Sequence, residues 1–374
     1  MVKLCLLPVD NLLYNSRVLD QLYKNILSVF SKITSTKLVK LDSRTIKLAP
    51  PFGGNVEQYL ERNRIAYEYF GEFYNARFCS RKIVETMIKE IDTITYYRFK
   101  YNSNIINLYA YGNSISLDSL LVKLTKCFIL MEFVNIRNVE KDIYYYPSSF
   151  KKELRLGYEL SPEHVNSGFT NFIGNIGSSI YIFREEDSDK VFLHECIHSL
   201  NLDFSTSYSS QLDKYILSNT LVDSNINLAE SYTDLYAILI NSLIDSCYTG
   251  VDYRQIIATE VLWQKKVVFH ILKHMGISNI GELFIDKKHK PKKLFKQKTS
   301  VFSYYIIKLV LFSNLDYFIK TYPLGMSWGQ ENQWDYYEDI LKNIDRVEDI
   351  PLKSFKNDRF SIRMVYNKLK INNC

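Results

Sequence analysis

Apolar and aromatic positions from Asn55 to about Ile94, among them Tyr59, Ala66, Tyr69, Phe70, Phe73 and Phe78, recur at helical spacing, as do those from Leu117 to Phe133. Both stretches predict amphipathic helices. After Lys141 the texture changes. Ile143–Tyr146 and Ser179–Phe183 are short β-branched and aromatic runs that predict strands, separated by the turn residues Pro147 to Ser149 and by Gly174 and Gly177. The acidic run Arg184–Asp189 then offers an N-cap, so a helix should start near Asp189. Its residues Val191, Phe192, Leu193, Cys196, Ile197 and Leu200 are apolar nearly all round, which predicts burial. From Leu212 onward most segments carry the helical period, with Gly276 a stop for Val261–Met275. The pattern predicts an α+β chain in two parts. Residues 1–140 form an α-rich domain with some strands near its start, and residues 141–374 hold a small sheet, a buried helix and a mainly helical remainder.

With 374 residues, 47% of them hydrophobic, the chain can build a full core. Six cysteines (Cys5, Cys79, Cys127, Cys196, Cys247, Cys374) are scattered without a CxxC pair, which suits a reducing, intracellular compartment. The apolar start, Met1 to Val9, is interrupted by Pro8 and closed by Asp10, too short for a signal peptide. No run of eighteen apolar residues predicts a membrane span. The net charge of +6 owes much to Lys287–Lys298, where seven lysines surround His289 and Pro291. This stretch is read as a solvated loop, with nucleic-acid binding ranked below every other reading.

The buried helix contains His194-Glu195-Cys196-Ile197-His198, an HExxH motif. Residues four apart share a helix face, so both imidazoles can reach one ion while Glu195 reaches the rim of the site. Zinc binds imidazole readily and leaves a coordination position to water in catalytic sites; Glu195 would be the base that takes the proton of that water. An ionised Glu195 buried in an apolar helix without such a role would be costly.

Two histidines need a third protein ligand. HExxHxxGxxH would require glycine at 201 and histidine at 204, but these are Asn201 and Phe204, and Asp203 falls one residue short of an aspartate ligand in the related pattern. Further on, Asn227–Ile240 reads as a helix with Glu230 and Asp234 four apart on a narrow, partly polar stripe. Like charges at this spacing repel, so something cationic should lie between them. A zinc ion on Glu230 and a histidine ring N–H on Asp234 would satisfy both; a solvent-facing acidic pair is the plainer alternative. His270 and His274 repeat the four-residue spacing without an accompanying glutamate, and are read as a polar helix face.

HExxH followed on a later helix by ExxxD resembles the gluzincins, the thermolysin-like zinc peptidases. The resemblance implies a zincin-like catalytic domain, one catalytic Zn2+ held by His194, His198 and Glu230, Glu195 as general base, and Asp234 behind His194. It implies a polypeptide substrate. Ser205–Asn225 would be an extra loop relative to thermolysin. Gly325-Met326 is not followed by the Glu-Asn of the aminopeptidase signature, which favours an endopeptidase. The family commonly stabilises the oxyanion with a Tyr, His or Arg from further along the chain, and Tyr304 and Tyr305 are candidates, with His270 and His274 behind them. An edge strand precedes the HExxH helix in zincins and pairs with substrate; Ser179–Phe183 sits where that strand should be, although a plain core strand fits equally. Segments 165–170, 180–186 and 190–192 are also similar to uncharacterised HExxH proteins of large DNA viruses. The reading from a different class is a catalytically silent zinc protein with a structural or virion-associated role.

Overall fold

Backbone groups from both halves of the chain pair in one six-stranded sheet of a computed structural model, which describes residues 16–49, 55–112, 115–155, 159–173, 176–224, 226–284, 294–347 and 359–361. The strands are β1 (Val39–Lys47), β2 (Thr93–Tyr101), β3 (Asn104–Tyr111), β4 (Glu140–Tyr145), β6 (Gly168–Ile173) and β7 (Ile176–Ile182). Their order is β1-β2-β3-β4-β7-β6. Strands β1 to β3 form an antiparallel meander, β3–β4 and β4–β7 pair in parallel, and β6 returns antiparallel along the edge. The short β5 (Glu153–Arg155) and β8 (Arg359–Ser361) form a separate antiparallel pair.

This topology crosses the boundary expected at residue 140. Ile105 pairs with Glu140 and Ala110 with Tyr145, so residues 1–140 contribute half of the main sheet rather than an α-rich unit set apart. The missed signal is the period-two alternation of β2, which changes phase between Tyr96 and Phe99, so that Ile94 is buried on one face of the sheet and Phe99 and Tyr101 on the other.

The helices are α1 (Arg17–Thr36), α2 (Val56–Arg62), α3 (Arg64–Asn75), α4 (Arg81–Glu90), α5 (Leu117–Phe133), α6 (Pro162–Val165), α7 (Ser188–Ser199), α8 (Ser210–Asn219), α9 (Leu228–Thr249), α10 (Tyr253–Met275), α11 (Lys308–Ser313), α12 (Leu315–Thr321) and α13 (Gln330–Asn343). The helical period from Asn55 to Ile94 is thus carried by three short helices and the start of β2. Asn55, Asn63 and Ser80 each accept a hydrogen bond from the backbone N–H three residues on, which starts a new helix at each point. Helix α5 matches its expected span, and α10 stops at Gly276 in a left-handed conformation, φ 66°.

The sheet divides the core in two. One face carries Phe99, Ile106, Leu108, Ile143, Ile180 and Ile182 into the large core built with α1, α5, α7 and α9. The other presents Ile94, Tyr111, Tyr181 and Phe169 to α2, α3 and α4. On this second face Tyr109, Tyr144, Tyr181 and Phe169 stack across four adjacent strands, with ring centroids 4.6, 4.7 and 4.8 Å apart. That is the spacing of hydrogen-bonded strands, so cross-strand register alone aligns the rings.

Among the described residues no helix is long and apolar enough to cross a membrane. Of the lysine-rich stretch, residues 287–293 lie outside the described residues.

Candidate metal centre

Helix α7 is buried along its whole length, and charged groups fix both of its ends. At the N-terminus Asp189 binds Lys123 Nζ at 2.5 Å and Lys126 Nζ at 2.8 Å. Lys126 is fully buried and also reaches Asn241 and Asp245 of α9. At the C-terminus Lys141 Nζ donates to Ser199 O at 2.8 Å, satisfying one of the carbonyls that a helix end leaves open. The acidic run before α7 does not cap it as expected. Asp187 occupies the N-cap in a left-handed conformation (φ 62°) with no side-chain cap, and its carboxylate takes Lys152 Nζ at 3.3 Å instead.

The helix is thereby held against β6, β7 and α9, and its histidines meet Glu230 from the first turn of α9. His194 Nε2 and His198 Nε2 are 3.1 Å apart, and each lies 3.2 Å from Glu230 Oε2. A triangle with these sides has its centre about 1.8 Å from each corner, a spacing that would let all three atoms hold one ion with bonds of about 2.0–2.2 Å. Among the described residues these three form the group able to hold a metal ion.

The surroundings explain why the three atoms face each other. His194 Nδ1 lies 3.2 Å from Asp234 Oδ1, and His198 Nδ1 lies 2.6 Å from Asp203 Oδ2. Neither contact has the angle of an in-line hydrogen bond, yet each carboxylate favours a proton on the near nitrogen. Both Nε2 lone pairs then point at each other and at a carboxylate oxygen. Three acceptors converging in a buried site need a cation, which is the physical sense in which these residues fit a metal.

Without metal, protons fill that need. Burial works against a charged His198, but Asp203 and Glu230 outweigh it and hold the ring well above its ordinary pKa; Asp234 and Glu230 raise His194 likewise. Burial alone would raise the Glu230 carboxyl, and the two rings bring it below the usual range instead. Asp234 is also driven well below its ordinary value despite burial, by Lys190, Lys308 and His194. Both lysine ammoniums are ion-paired to it. Asp234 thus stands beside His194 and two buried lysines, which compensate its charge.

Glu195, adjacent to His194 on α7, turns toward β6, where its Oε2 accepts the Thr170 hydroxyl at 2.9 Å. Burial raises its pKa and the two histidines oppose this, leaving it above the ordinary carboxylate value. β6 approaches closely because residue 168 is glycine: a Cβ there would stand 2.9 Å from both Tyr181 O and Val191 Cγ1 and 3.1 Å from Glu195 Cγ. The edge strand is β6, whereas Ser179–Phe183 falls on β7 and the residue after it, and β7 is enclosed between β4 and β6. Local sequence marks a strand but does not encode its rank within the sheet.

Tyr304 and Tyr305 lie on a π-helical turn, Phe302–Ile307, a distortion that often accompanies functional sites. Tyr304 is partly buried and lies near His194, with ring centroids 5.9 Å apart, and desolvation together with Glu230, Glu195 and Asp234 raises its hydroxyl well above the ordinary pKa. Tyr305 faces the Asp234 and Lys308 side, with Lys308 Nζ 5.4 Å from its ring centre. His270 and His274 lie on α10 and do not join the metal group. Asp203, weighed only as a ligand in the sequence, stands behind His198 instead. Part of Ser205–Asn225 is the helix α8 rather than loop.

No family model matches the chain, and no solved structure matches it. It is similar to an uncharacterised protein of Acanthamoeba polyphaga mimivirus, 24% identical over 254 residues, which cover 64% of this chain and 62% of that protein. The chain thus has a distant relative in a mimivirus and carries a His-His-Glu group, both histidines buried and Glu230 partly so, able to bind a metal ion.

Proposed function

We propose that the chain is a zinc-dependent peptidase, an endopeptidase, in a zincin-like arrangement of edge strand, HExxH helix and glutamate helix. One observation carries the reading: the three-atom donor triangle of His194, His198 and Glu230 stands beside a second glutamate, Glu195, that is buried yet outside the triangle. A structural zinc site has no use for such a neighbour. Two imidazoles and one carboxylate suit Zn2+ and leave a position for water.

Zinc, when bound, brings the pKa of a water molecule toward neutrality and polarises a carbonyl. Asp234 and Asp203 hold the two rings with their Nε2 atoms turned inward. Glu195 takes the proton of the attacking water and delivers it to the amine nitrogen as the C–N bond breaks, giving a carboxylate and an amine. Its raised pKa suits a group that both accepts and returns a proton. Tyr304, beside Glu230 and His194, supplies the hydroxyl for the developing oxyanion. The outer edge of β6, which no strand among the described residues pairs with, would offer main-chain hydrogen bonds to an extended substrate.

The test is metal analysis of purified protein together with digestion of a broad peptide library by wild type and Glu195→Gln. Retained zinc with lost cleavage in the variant is the expected result; full cleavage by the variant contradicts the mechanism.

A further inference from the structure

A narrow cavity of about 40 Å³ opens beside Glu195, between β6 and α7, with Gly168, Val191 and Tyr304 in its walls and Lys152 and Lys190 at its polar end. A single water needs about 10–15 Å³ on this measure, so the cavity has room for the few atoms at the end of a side chain. Its cations are not equally satisfied. Lys190 and Lys308 each make a close ion pair with Asp234, whereas the ammonium of Lys152, a residue 5% exposed, has three N–H groups and, among the described residues, a single longer hydrogen bond, to Asp187 Oδ2 at 3.3 Å.

Lys152 is not loosely placed. Its backbone N–H donates to Glu186 Oε2 at 2.6 Å, and Ser148 O of the same loop accepts the N–H of Glu185, tying the loop to the segment before α7. Burial pushes the ammonium down to about 8; Asp187 and Asp234 resist this, and Lys190 and Arg184 push the same way as burial. Besides Lys152 the cavity is lined by the Lys190 ammonium and by the carboxylates of Glu195 and Asp234, and Asp234 is shared by Lys190 and Lys308, so Lys152 is the lining cation whose carboxylate partner lies farther off.

We infer that this cavity is a specificity pocket for a carboxylate, so that the enzyme selects substrates with Asp or Glu immediately flanking the scissile bond, bound through Lys152. The inference rests on the peptidase reading. A carboxylate entering the cavity offers acceptors to the Lys152 N–H donors that Asp187 does not take, while an apolar side chain would leave the ammonium desolvated and a basic one would bring it no acceptor.

The experiment has two arms. In the first, zinc-loaded Glu195→Gln protein is titrated with fluorescent peptides that differ by Glu or Gln at one position, scanned along the peptide. Glu should bind about tenfold tighter or more at one position, as a charge-assisted hydrogen bond predicts, and Lys152→Met in the same background should bring the ratio near one. Equal binding at every position overturns the inference. In the second arm, wild type digests a library with Glu, Gln, Leu and Lys at each position. Cleavage next to Glu supports the inference, and cleavage that favours Leu or Lys on both sides of the scissile bond overturns it while leaving the peptidase reading intact. No cleavage of any peptide by zinc-loaded wild type overturns that reading, and the pocket with it unless the binding arm shows the Glu preference.

Discussion

Asp203 Oδ2 lies 2.6 Å from His198 Nδ1, so the carboxylate that follows the HExxH helix most closely stands behind a histidine of the candidate metal group and is not a member of it. Thr233 and Ser205 hydroxyls hold it in place, the former from α9. Asp203→Asn keeps the shape and removes the charge. It should weaken zinc binding about 10–100-fold, as outer partners of metal ligands commonly do. Competition with a chromophoric chelator measures this, and an unchanged affinity would show that Asp203 does not act through His198.

Asp234 occupies the matching place behind His194, but it also compensates two buried ammoniums, Lys190 and Lys308. Asp234→Asn should therefore cost stability as well as metal affinity. Leaving buried charge uncompensated costs about 3–5 kcal/mol, where Asp203→Asn should cost distinctly less. Urea denaturation of the two metal-free variants compares them directly; equal losses contradict the assignment.

Gly168→Ala probes the approach of β6 to α7. The added methyl meets Tyr181 O, Val191 and Glu195 Cγ, and backbone on one side limits relaxation. A cost of about 1–3 kcal/mol is expected, with Glu195 displaced. Cleavage should fall while zinc content stays near one per chain, the opposite of a ligand substitution.

The protons held by the metal-free site give a pH signature. His198 and His194 have folded pKa values raised above the usual 6.5 or so, so their contribution to stability is complete below that pH and lost as pH rises through the folded values. Glu230, depressed, contributes above the ordinary carboxylate range and loses that contribution only in acid. Zinc needs all three donors free of protons. The rise in Tm on adding zinc should therefore grow from pH 6 to pH 8; a constant or shrinking rise is the contrary result.

The centre itself was legible because its residues sit at spacings that a helix converts directly into proximity: His194 to His198, and Glu230 to Asp234. What the sequence concealed depends on packing between elements. Lys126, Asp189 and Asp245 look like ordinary charged positions, yet they meet in the core, because a charge on one helix gives no sign of its partner on another. Lys190 and Lys308 escaped notice for the same reason. The alternating pattern of β2 was readable, but its alignment with β3 and, through β3, with β4 is set by long-range pairing, which moved the expected boundary at residue 140 into the middle of a sheet. The rank of β6 as the edge strand beside Glu195 follows from the same pairing.

The central claim is that zinc at His194, His198 and Glu230 works with Glu195 to cut peptide bonds. The most direct measurement is a library digest by zinc-loaded wild type and Glu195→Gln, with the metal content of both determined on the same samples. The account predicts about one zinc per chain in each, new peptide termini from wild type only, and loss of cleavage on chelation. Cleavage by the Glu195→Gln protein, or a fully zinc-loaded wild type that cuts no peptide, would contradict it.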